Sequence, residues 1–479
     1  MLDAAQGHSG KMPGNAEKPM NELQFDVFVV GAGQAGPPLA RALAQAGKRV
    51  GIAERKDVGG SCVNFGCTPT KAAFASARLA HLARRSAEFG LRIPQVEIDY
   101  AAVLERARGV ATNSRQGLES SLEASENLAL LRDHACFDGR DGDRFRLRVG
   151  DALVSARQVV IDTGTRSAIP PIEGLQDVPF IHAGNWLELS QLPSRLAVIG
   201  GGAIGLEMAQ FYRRLGSEVT VLEGADQVGG LEDPDVAGAV QKFLESEGIE
   251  FRLNSRVERV IRNGDGLTLS VDAHSSPSTI EATHVFIAAG RQANTDDLGL
   301  QSVGVRTEKH GIVTTDERLA SSVEGIWVAG DVRGGPMFTH TAWDDYRILE
   351  SQIAGDGLRT THRVVPYAVF TDPELGRVGM TEQQARNTGH KVSIGRFEMV
   401  HNGKALEVGQ TAGFVKIVVD AERERVLGAA VLASEGAELV HVFIDLMNAD
   451  GAFQLIRDAV FIHPTLAEAL QSAVSTIPE

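Results

Sequence analysis

The 479-residue chain holds only three cysteines, Cys62, Cys67 and Cys136, and none follows Cys136. So sparse a set cannot build the disulfide framework of an extracellular module. No CxxC pair is present either, which removes the usual ligands of a structural zinc site, and no bound metal is expected. Basic residues are in deficit: 47 Lys and Arg stand against 62 Asp and Glu, for a net charge of -15 and a pI near 5.4. With no basic stripe to offset that charge, nucleic acid is not an expected partner. No run of about 18 apolar residues occurs, so no membrane span is expected. Residues Met1 to about Asn21 are polar, rich in Gly, Ala and Lys, and lack an apolar signal core. They read as a flexible tail on a cytoplasmic protein.

A chain of 479 residues exceeds one hydrophobic core, which predicts two to four domains. Its most informative stretch is Gly59-Gly60-Ser61-Cys62-Val63-Asn64-Phe65-Gly66-Cys67-Thr68-Pro69-Thr70-Lys71, with two cysteines five positions apart. On a regular helix that spacing separates the α-carbons by roughly 8 Å, beyond the roughly 4.4 to 6.8 Å of a disulfide. A bridge therefore requires irregular backbone, which Asn64 and Gly66 permit. Thr68 followed by Pro69 reads as an N-cap with proline at the first helical position. Cys67 would then lie just outside a helix N-terminus, where the dipole favours a thiolate. A pair of buried free cysteines is the structural alternative.

Phe25 to Val30 is a largely apolar run, as in a buried parallel strand, and it enters Gly31-Ala32-Gly33-Gln34-Ala35-Gly36 and an Ala/Leu-rich helix. A second strand, Lys48 to Ala53, ends at Glu54. The glycines allow a tight turn and the approach of a pyrophosphate to the helix N-terminus, while Glu54 can bind ribose hydroxyls. The arrangement recurs: Leu196 to Ile199, Gly200-Gly201-Gly202-Ala203-Ile204-Gly205, a helix, then Glu218 to Glu223. In both copies the acid falls 23 positions after the first glycine, Gly31 to Glu54 and Gly200 to Glu223. Two fingerprints imply two dinucleotides. Glu223 accepts hydrogen bonds from a ribose 2′-hydroxyl and repels a 2′-phosphate, and Gly224 and Ala225 supply no arginine, so NAD(H) is expected over NADP(H) at the second.

Shorter signals follow. Ile161-Asp162-Thr163-Gly164-Thr165, Phe286 to Arg291 and Ile326 to Asp331 each read as a strand leaving into a small-residue turn, an exit that serves equally as an ordinary loop or as a cofactor contact. From about Thr361 strand-like runs, including Phe414 to Val419 and Val426 to Leu432, precede helices and mark a separate α+β domain. In His463-Pro464-Thr465-Leu466-Ala467-Glu468, Thr465 and Glu468 fit a capping box. That reading leaves His463 unexplained, a side chain able to act as acid and base near neutrality.

Taken together, the cysteine stretch, both fingerprints, Gly290-Arg291, Gly330-Asp331 and His463-Pro464-Thr465 with Glu468 resemble the class I flavoprotein pyridine nucleotide-disulfide oxidoreductases, which include dihydrolipoyl dehydrogenase, glutathione reductase and mercuric reductase. The resemblance runs from Phe25 to about Ala473. It implies an α/β fold with two Rossmann-like dinucleotide-binding domains, for FAD and NAD, plus a C-terminal α+β dimerisation domain. The implied division is a tail over 1–22, an FAD domain over 23–169 that resumes over 290–360, an NAD domain over 170–289 and an interface domain over 361–479. It also implies a homodimer whose active sites are shared between subunits, with His463 reaching the other subunit's cysteines.

Residue by residue, the resemblance makes Cys67 the flavin-proximal sulfur and Cys62 the interchange sulfur of a redox disulfide, with His463 and Glu468 as the acid-base pair. It places Lys71 beside the flavin with Glu207 as its ion-pair partner. Gly31, Gly33, Gly36, Glu54, Gly60, Ser61, Ala135, Thr163, Gly164, Asp331, Met337 and Thr339 fall at flavin contacts. Gly200, Gly202, Ile204, Gly205, Glu223, Val257 and Gly290 fall at the nicotinamide cofactor. The implied activity passes electrons between NAD(H), FAD, the Cys62–Cys67 pair and a small-molecule or lipoyl-protein disulfide. The Leu466-Ala467-Glu468-Ala469-Leu470 continuation looks closest to dihydrolipoyl dehydrogenase, although Phe461 stands where those enzymes commonly carry a histidine. Mercuric reductases resemble the cysteine stretch but add a C-terminal cysteine pair that this chain lacks. The alternative is an NAD(P)H-dependent reductase of another small disulfide or of a metal ion.

Overall fold

Four residues of unbroken apolar burial, Val27 to Val30, form the middle of the first sheet. They belong to the strand Glu22–Val30, which pairs in parallel with Val50–Ala53 on one side and Ala152–Ile161 on the other, Val30 facing Ala53 and Ile161. In this computed structural model, which describes residues 22–273 and 277–478, the expected tail over 1–22 lies outside the described residues except for Glu22. The sheet has seven strands: Leu128–Leu131 extends one edge, and Arg144–Val149 and Ala135–Asp141 extend the other antiparallel. Its remaining strand, Ile326–Val328, returns from far downstream to pair in parallel with Ala152–Ile161. Burying a side chain such as Phe28 contributes about 1.5 to 3 kcal/mol, so this layer sets the register of the loops at its end.

The second sheet repeats the design. Its five parallel strands run Glu250–Arg252, Glu218–Leu222, Arg195–Ile199, His284–Ile287 and Ile181–His182. A three-stranded antiparallel sheet, Ser255–Asn263, Gly266–Ala273 and Ser278–Ala282, packs on it. Between the two units, Thr165–Ser167 pairs antiparallel with Arg291–Ala293, where the chain leaves the first sheet's layer and comes back. The third sheet is wholly antiparallel, in the order Pro366–Val369, Glu374–Gly379, Arg425–Ala433, Phe414–Asp420, Val392–Glu398. Its helix Glu468–Ser475 buries Ala469, Leu470, Ala473 and Val474 against Val415, Ile417 and Val431.

Both fingerprint turns need their glycines for the same reason. Gly31 and Gly200 have φ of +101° and +112°, and a Cβ on either would collide with the carbonyl of the neighbouring strand's exit, Asp162 or Ala288. Gly36 and Gly205 sit so close to the carbonyls of Gly31 and Gly200 that a side chain there would push the helix off its strand. No described helix is long and apolar enough to cross a membrane.

Candidate active site

The cysteine stretch folds as two helices with a break. Gly60–Asn64 forms a short helix, Phe65 departs from it at φ -149°, and Cys67–Arg84 begins at once. The expected N-cap at Thr68 is corrected: Gly66 is the cap and Cys67 the first helical residue, because Thr70 bonds the Gly66 carbonyl through both N–H, at 3.0 Å, and Oγ1, at 2.8 Å. That shift moves Cys67 into the first turn, where free amides and the dipole favour a thiolate. All three cysteines are thiols in this structure, Cys62 half-buried and Cys67 exposed.

The two active-site thiols differ in acidity. A hydrogen bond from the Cys62 thiol is the largest influence lowering Cys67 to about 6, and Thr339 Oγ1, 3.3 Å from its sulfur, and the Lys71 charge act in the same direction. That interaction, together with burial, raises Cys62, whose proton is shared toward its neighbour. Cys67 is therefore the thiolate of the pair near neutrality.

Lys71 lies one turn beyond Cys67, and its Nζ is 2.8 Å from Glu207 Oε2. Glu207 belongs to the second fingerprint helix, Ala203–Leu215, and its Oε1 accepts from Phe370 N at 2.9 Å. One carboxylate thus joins the cysteine helix, the second fingerprint and the C-terminal domain.

Around the first fingerprint, Glu54 accepts from Ala32 N at 3.0 Å and Lys56 N at 2.9 Å. Gly60 abuts Gly33, and Ser61 O caps the break by accepting from Phe65 and Gly66. Asp331 accepts from Thr165 Oγ1 at 3.0 Å and lies 3.5 Å from Arg291, while Gly164 O accepts from Asn294 N at 3.0 Å. Thr339 opens the helix Thr339–Ala354, with half-buried Met337 just before it. Ala135 is buried, and its neighbour His134 bonds Asp297, which pairs with Arg55 beside Glu54. The Thr163 hydroxyl is buried without a partner, as a group held for a ligand would be. That orphan, the acid at Glu54 and the glycine cradle fit FAD.

The second fingerprint mirrors the first: Glu223 accepts from Gly201 N at 2.7 Å and Ala225 N at 2.9 Å. Gly202 opens onto free space, Ile204 is 37% exposed, and Gly290 has φ +115°. Val257 is half-buried, two residues after Ser255, whose N–H reaches Glu223 O at 2.9 Å. Sequence reasoning missed Arg256: its side chain lies 3.7 Å from where a Cβ on Gly224 would stand, so an arginine does flank Glu223. It arrives on a separate strand, and no local pattern around Glu223 signals it.

His463 is 78% exposed, and its Nδ1 lies 3.0 Å from Glu468 Oε1. The expected capping box is only half present. Glu468 Oε2 accepts from Thr465 N at 2.8 Å, but the Thr465 hydroxyl turns back to donate to Ile462 O, and the helix starts at Glu468. Glu468 therefore serves both the chain turn and the imidazole. Its carboxyl is held below the usual range, first by the Thr465 amide and then by His463.

Two dinucleotide cradles, one of them beside a thiol pair of unequal acidity, define a redox enzyme that couples two nucleotide cofactors to sulfur chemistry. Residues 25–345 match the pyridine nucleotide-disulphide oxidoreductase family, and residues 365–474 match that family's dimerisation domain. The chain belongs to the class I pyridine nucleotide-disulfide oxidoreductases. It is 32% identical over 459 residues to the probable pyridine nucleotide-disulfide oxidoreductase RclA of Escherichia coli, covering 95% of this chain and 99% of that protein. It is 33% identical over 466 residues to dihydrolipoyl dehydrogenase of Cupriavidus necator, covering 95% and 98%. The solved Cu(II) complex of the HOCl-induced flavoprotein disulfide reductase RclA superposes with a TM-score of 0.85 at 31% identity, covering 94% of this chain and 99% of that one. The protein is thus a flavoprotein disulfide oxidoreductase that uses FAD and a pyridine nucleotide and carries the family's dimerisation domain.

Proposed function

We propose that the protein is an NAD-linked, dihydrolipoyl dehydrogenase-like enzyme that exchanges electrons with a small-molecule or lipoyl-type dithiol/disulfide through Cys62 and Cys67. The observation that carries this reading is two thiols at a helix start, Cys67 with Thr339 Oγ1 at 3.3 Å and Lys71 one turn on, an arrangement that lowers Cys67 and raises Cys62, because disulfide exchange needs one sulfur that stays as thiolate and one that is deprotonated on demand. In the reductive direction Cys62, deprotonated by His463 of the partner subunit, attacks one substrate sulfur and breaks the S–S bond. The leaving thiolate takes the proton from that imidazolium. Cys67 then attacks the Cys62 sulfur, re-forms the intramolecular disulfide and expels the second substrate thiol. Bound FAD supplies the two-electron relay between the nicotinamide and the thiol pair. Lys71, fixed by Glu207, places a positive charge beside the sulfur that must stay ionised. The net reaction is NADH plus H⁺ plus disulfide to NAD⁺ plus dithiol.

The division into an FAD domain over 23–169 and 290–360, an NAD domain over 170–289 and an interface domain over 361–479 is supported by Ile326–Val328 returning to the first sheet. The shared active site is supported by the exposure of His463 and of its neighbours Val460, at 99%, and Ile462, at 79%, on a turn that a second subunit would cover. A second reading, reduction of a metal ion, has one specific support, the similarity to RclA, of which a Cu(II) complex has been solved. The purified enzyme should be assayed with NADH and NADPH against lipoamide, glutathione disulfide and Cu(II), as wild type and Cys62→Ser. Lipoamide turnover abolished in Cys62→Ser supports the first reading. Copper reduction without turnover of any disulfide replaces it with the second.

A further inference from the structure

Asp162 is a buried carboxyl that none of these steps uses. It follows the strand Ala152–Ile161 and closes beneath the first fingerprint, where its Oδ2 accepts from Gly36 N at 2.7 Å, at the first residue of the helix Gly36–Gln45. A Cβ on Gly33 would stand 2.9 Å from that oxygen, and one on Gly330 would stand 3.0 Å from Oδ1. The carboxyl therefore fills the space where three flavin-site elements converge: the fingerprint turn, the strand exit before Thr163 and the turn before Asp331.

No cation among the described residues is paired with it. The arginines nearby are committed to other acids, Arg333 and Arg363 to Asp345 at 2.7 and 2.6 Å and Arg291 to Asp331 at 3.5 Å. The other groups packed at this junction, Val29 on the central strand and Ala342 on the helix Thr339–Ala354, are apolar. Burial raises Asp162 well above the ordinary carboxyl range, and the Asp345 and Asp331 charges add to it, against the opposing effect of the Gly36 and Gly33 amides.

The chain contains its own control. At the matching place beneath the second fingerprint stands Ala288, whose carbonyl meets Gly200 as that of Asp162 meets Gly31 and whose Cβ lies near Gly205 as the Asp162 carboxyl lies near Gly36. The βα turn thus closes without any carboxyl. At the first fingerprint an acid has been added at the positive end of the helix, the end that also attracts a phosphate.

We propose that Asp162 is a proton-gated member of the flavin-diphosphate site: the first fingerprint takes the FAD pyrophosphate with Asp162 neutral, and binding draws in a proton whenever Asp162 is ionised beforehand. An ionised Asp162 would compete for the helix end and repel a diphosphate bound there. The neutral acid still accepts from Gly36. The inference rests on the reading that the first fingerprint holds FAD.

The test uses full-length holoenzyme, diluted and equilibrated in steps from about pH 6 to about pH 9, with released FAD read by its fluorescence, for wild type, Asp162→Asn and Asp162→Ala. Wild-type affinity should fall with rising pH, approaching about tenfold per unit once Asp162 ionises in the free site. Asp162→Asn, a neutral isostere, should hold FAD with no such slope, and Asp162→Ala, a copy of the Ala288 arrangement, should be flat as well. Should the asparagine variant not fold, the alanine variant decides. A wild-type profile without slope, or a slope retained in the variants, overturns the proposal. FAD that survives Glu54→Ala but is lost on Glu223→Ala would instead overturn the assignment of the first fingerprint to FAD, so the two failures are distinguishable.

Discussion

Around the sulfur of Cys67 a thiol, a hydroxyl and an ammonium converge, and each favours the ionised form. The thiolate should therefore exist above about pH 6 and be protonated below it. In a Cys62→Ser/Cys136→Ser protein, where only Cys67 remains, iodoacetamide alkylation should keep a midpoint below the ordinary thiol value of about 8.5. Thr339→Val removes one hydrogen bond and should move that midpoint upward; an unmoved midpoint would assign the shift to the residue-62 hydrogen bond, the helix end and Lys71. His463 poses a different question, because Glu468 serves both it and the Thr465 turn. His463→Gln should slow disulfide turnover by roughly 10² to 10⁴ while leaving reduction of the enzyme by NADH at its wild-type rate. Stopped flow and steady-state assay on one preparation separate the two, and unchanged disulfide turnover would leave His463 as an interface residue.

Among the elements, the two fingerprint units are the same device with different surroundings, and the second shows how a neighbouring strand can alter a local signal. Glu223 after Glu218–Leu222 predicts NADH, and Arg256 on Ser255–Asn263 stands beside Gly224, the residue next to Glu223. Glu223→Ala alone should therefore raise kcat/KM for NADPH relative to NADH on the order of tenfold or more, since a charge-assisted hydrogen bond contributes about 1.5 to 3 kcal/mol. Adding Gly224→Arg should extend the gain, and adding Arg256→Ala should cancel it. A wild-type enzyme faster with NADPH would show that Glu223 does not govern the choice.

For the molecule as a whole, the units are held in register by ion pairs whose cations are nearly buried. Arg214, with a side chain 5% exposed, pairs with Glu247 at 2.7 Å inside the second unit and with Asp372 at 2.7 Å in the C-terminal domain. Lys416 of the third sheet reaches Asp233 at 3.2 Å and Asp235 at 2.9 Å. Arg214→Ala would remove the guanidinium from Glu247 and leave Asp372 only its longer pair with Arg78 at 3.6 Å, and should cost about 3 to 5 kcal/mol, read as an earlier denaturant midpoint. A loss below about 1 kcal/mol would mean that water enters the joint and replaces the pairs.

Much of this protein is legible without coordinates because its chemistry depends on local backbone. The turns Gly31 to Gly36 and Gly200 to Gly205, the acids 23 residues after each first glycine, and the Cys62–Cys67 spacing all carry their geometry in neighbouring residues, where periodicity and glycine placement express it. Helix starts were less legible: Thr68 and Thr465 have the composition of N-caps, yet hydrogen bonds from Thr70 to Gly66 and from Thr465 to Ile462 decide otherwise. What only the tertiary structure decides are meetings between distant segments. Cys67 with Thr339, Arg256 beside Glu223 and Asp162 beneath Gly36 each join positions between 33 and 272 residues apart, Glu223 to Arg256 being the nearest and Cys67 to Thr339 the farthest. No pattern along the chain encodes such contacts, because it is the pairing of strands in a sheet that brings them together.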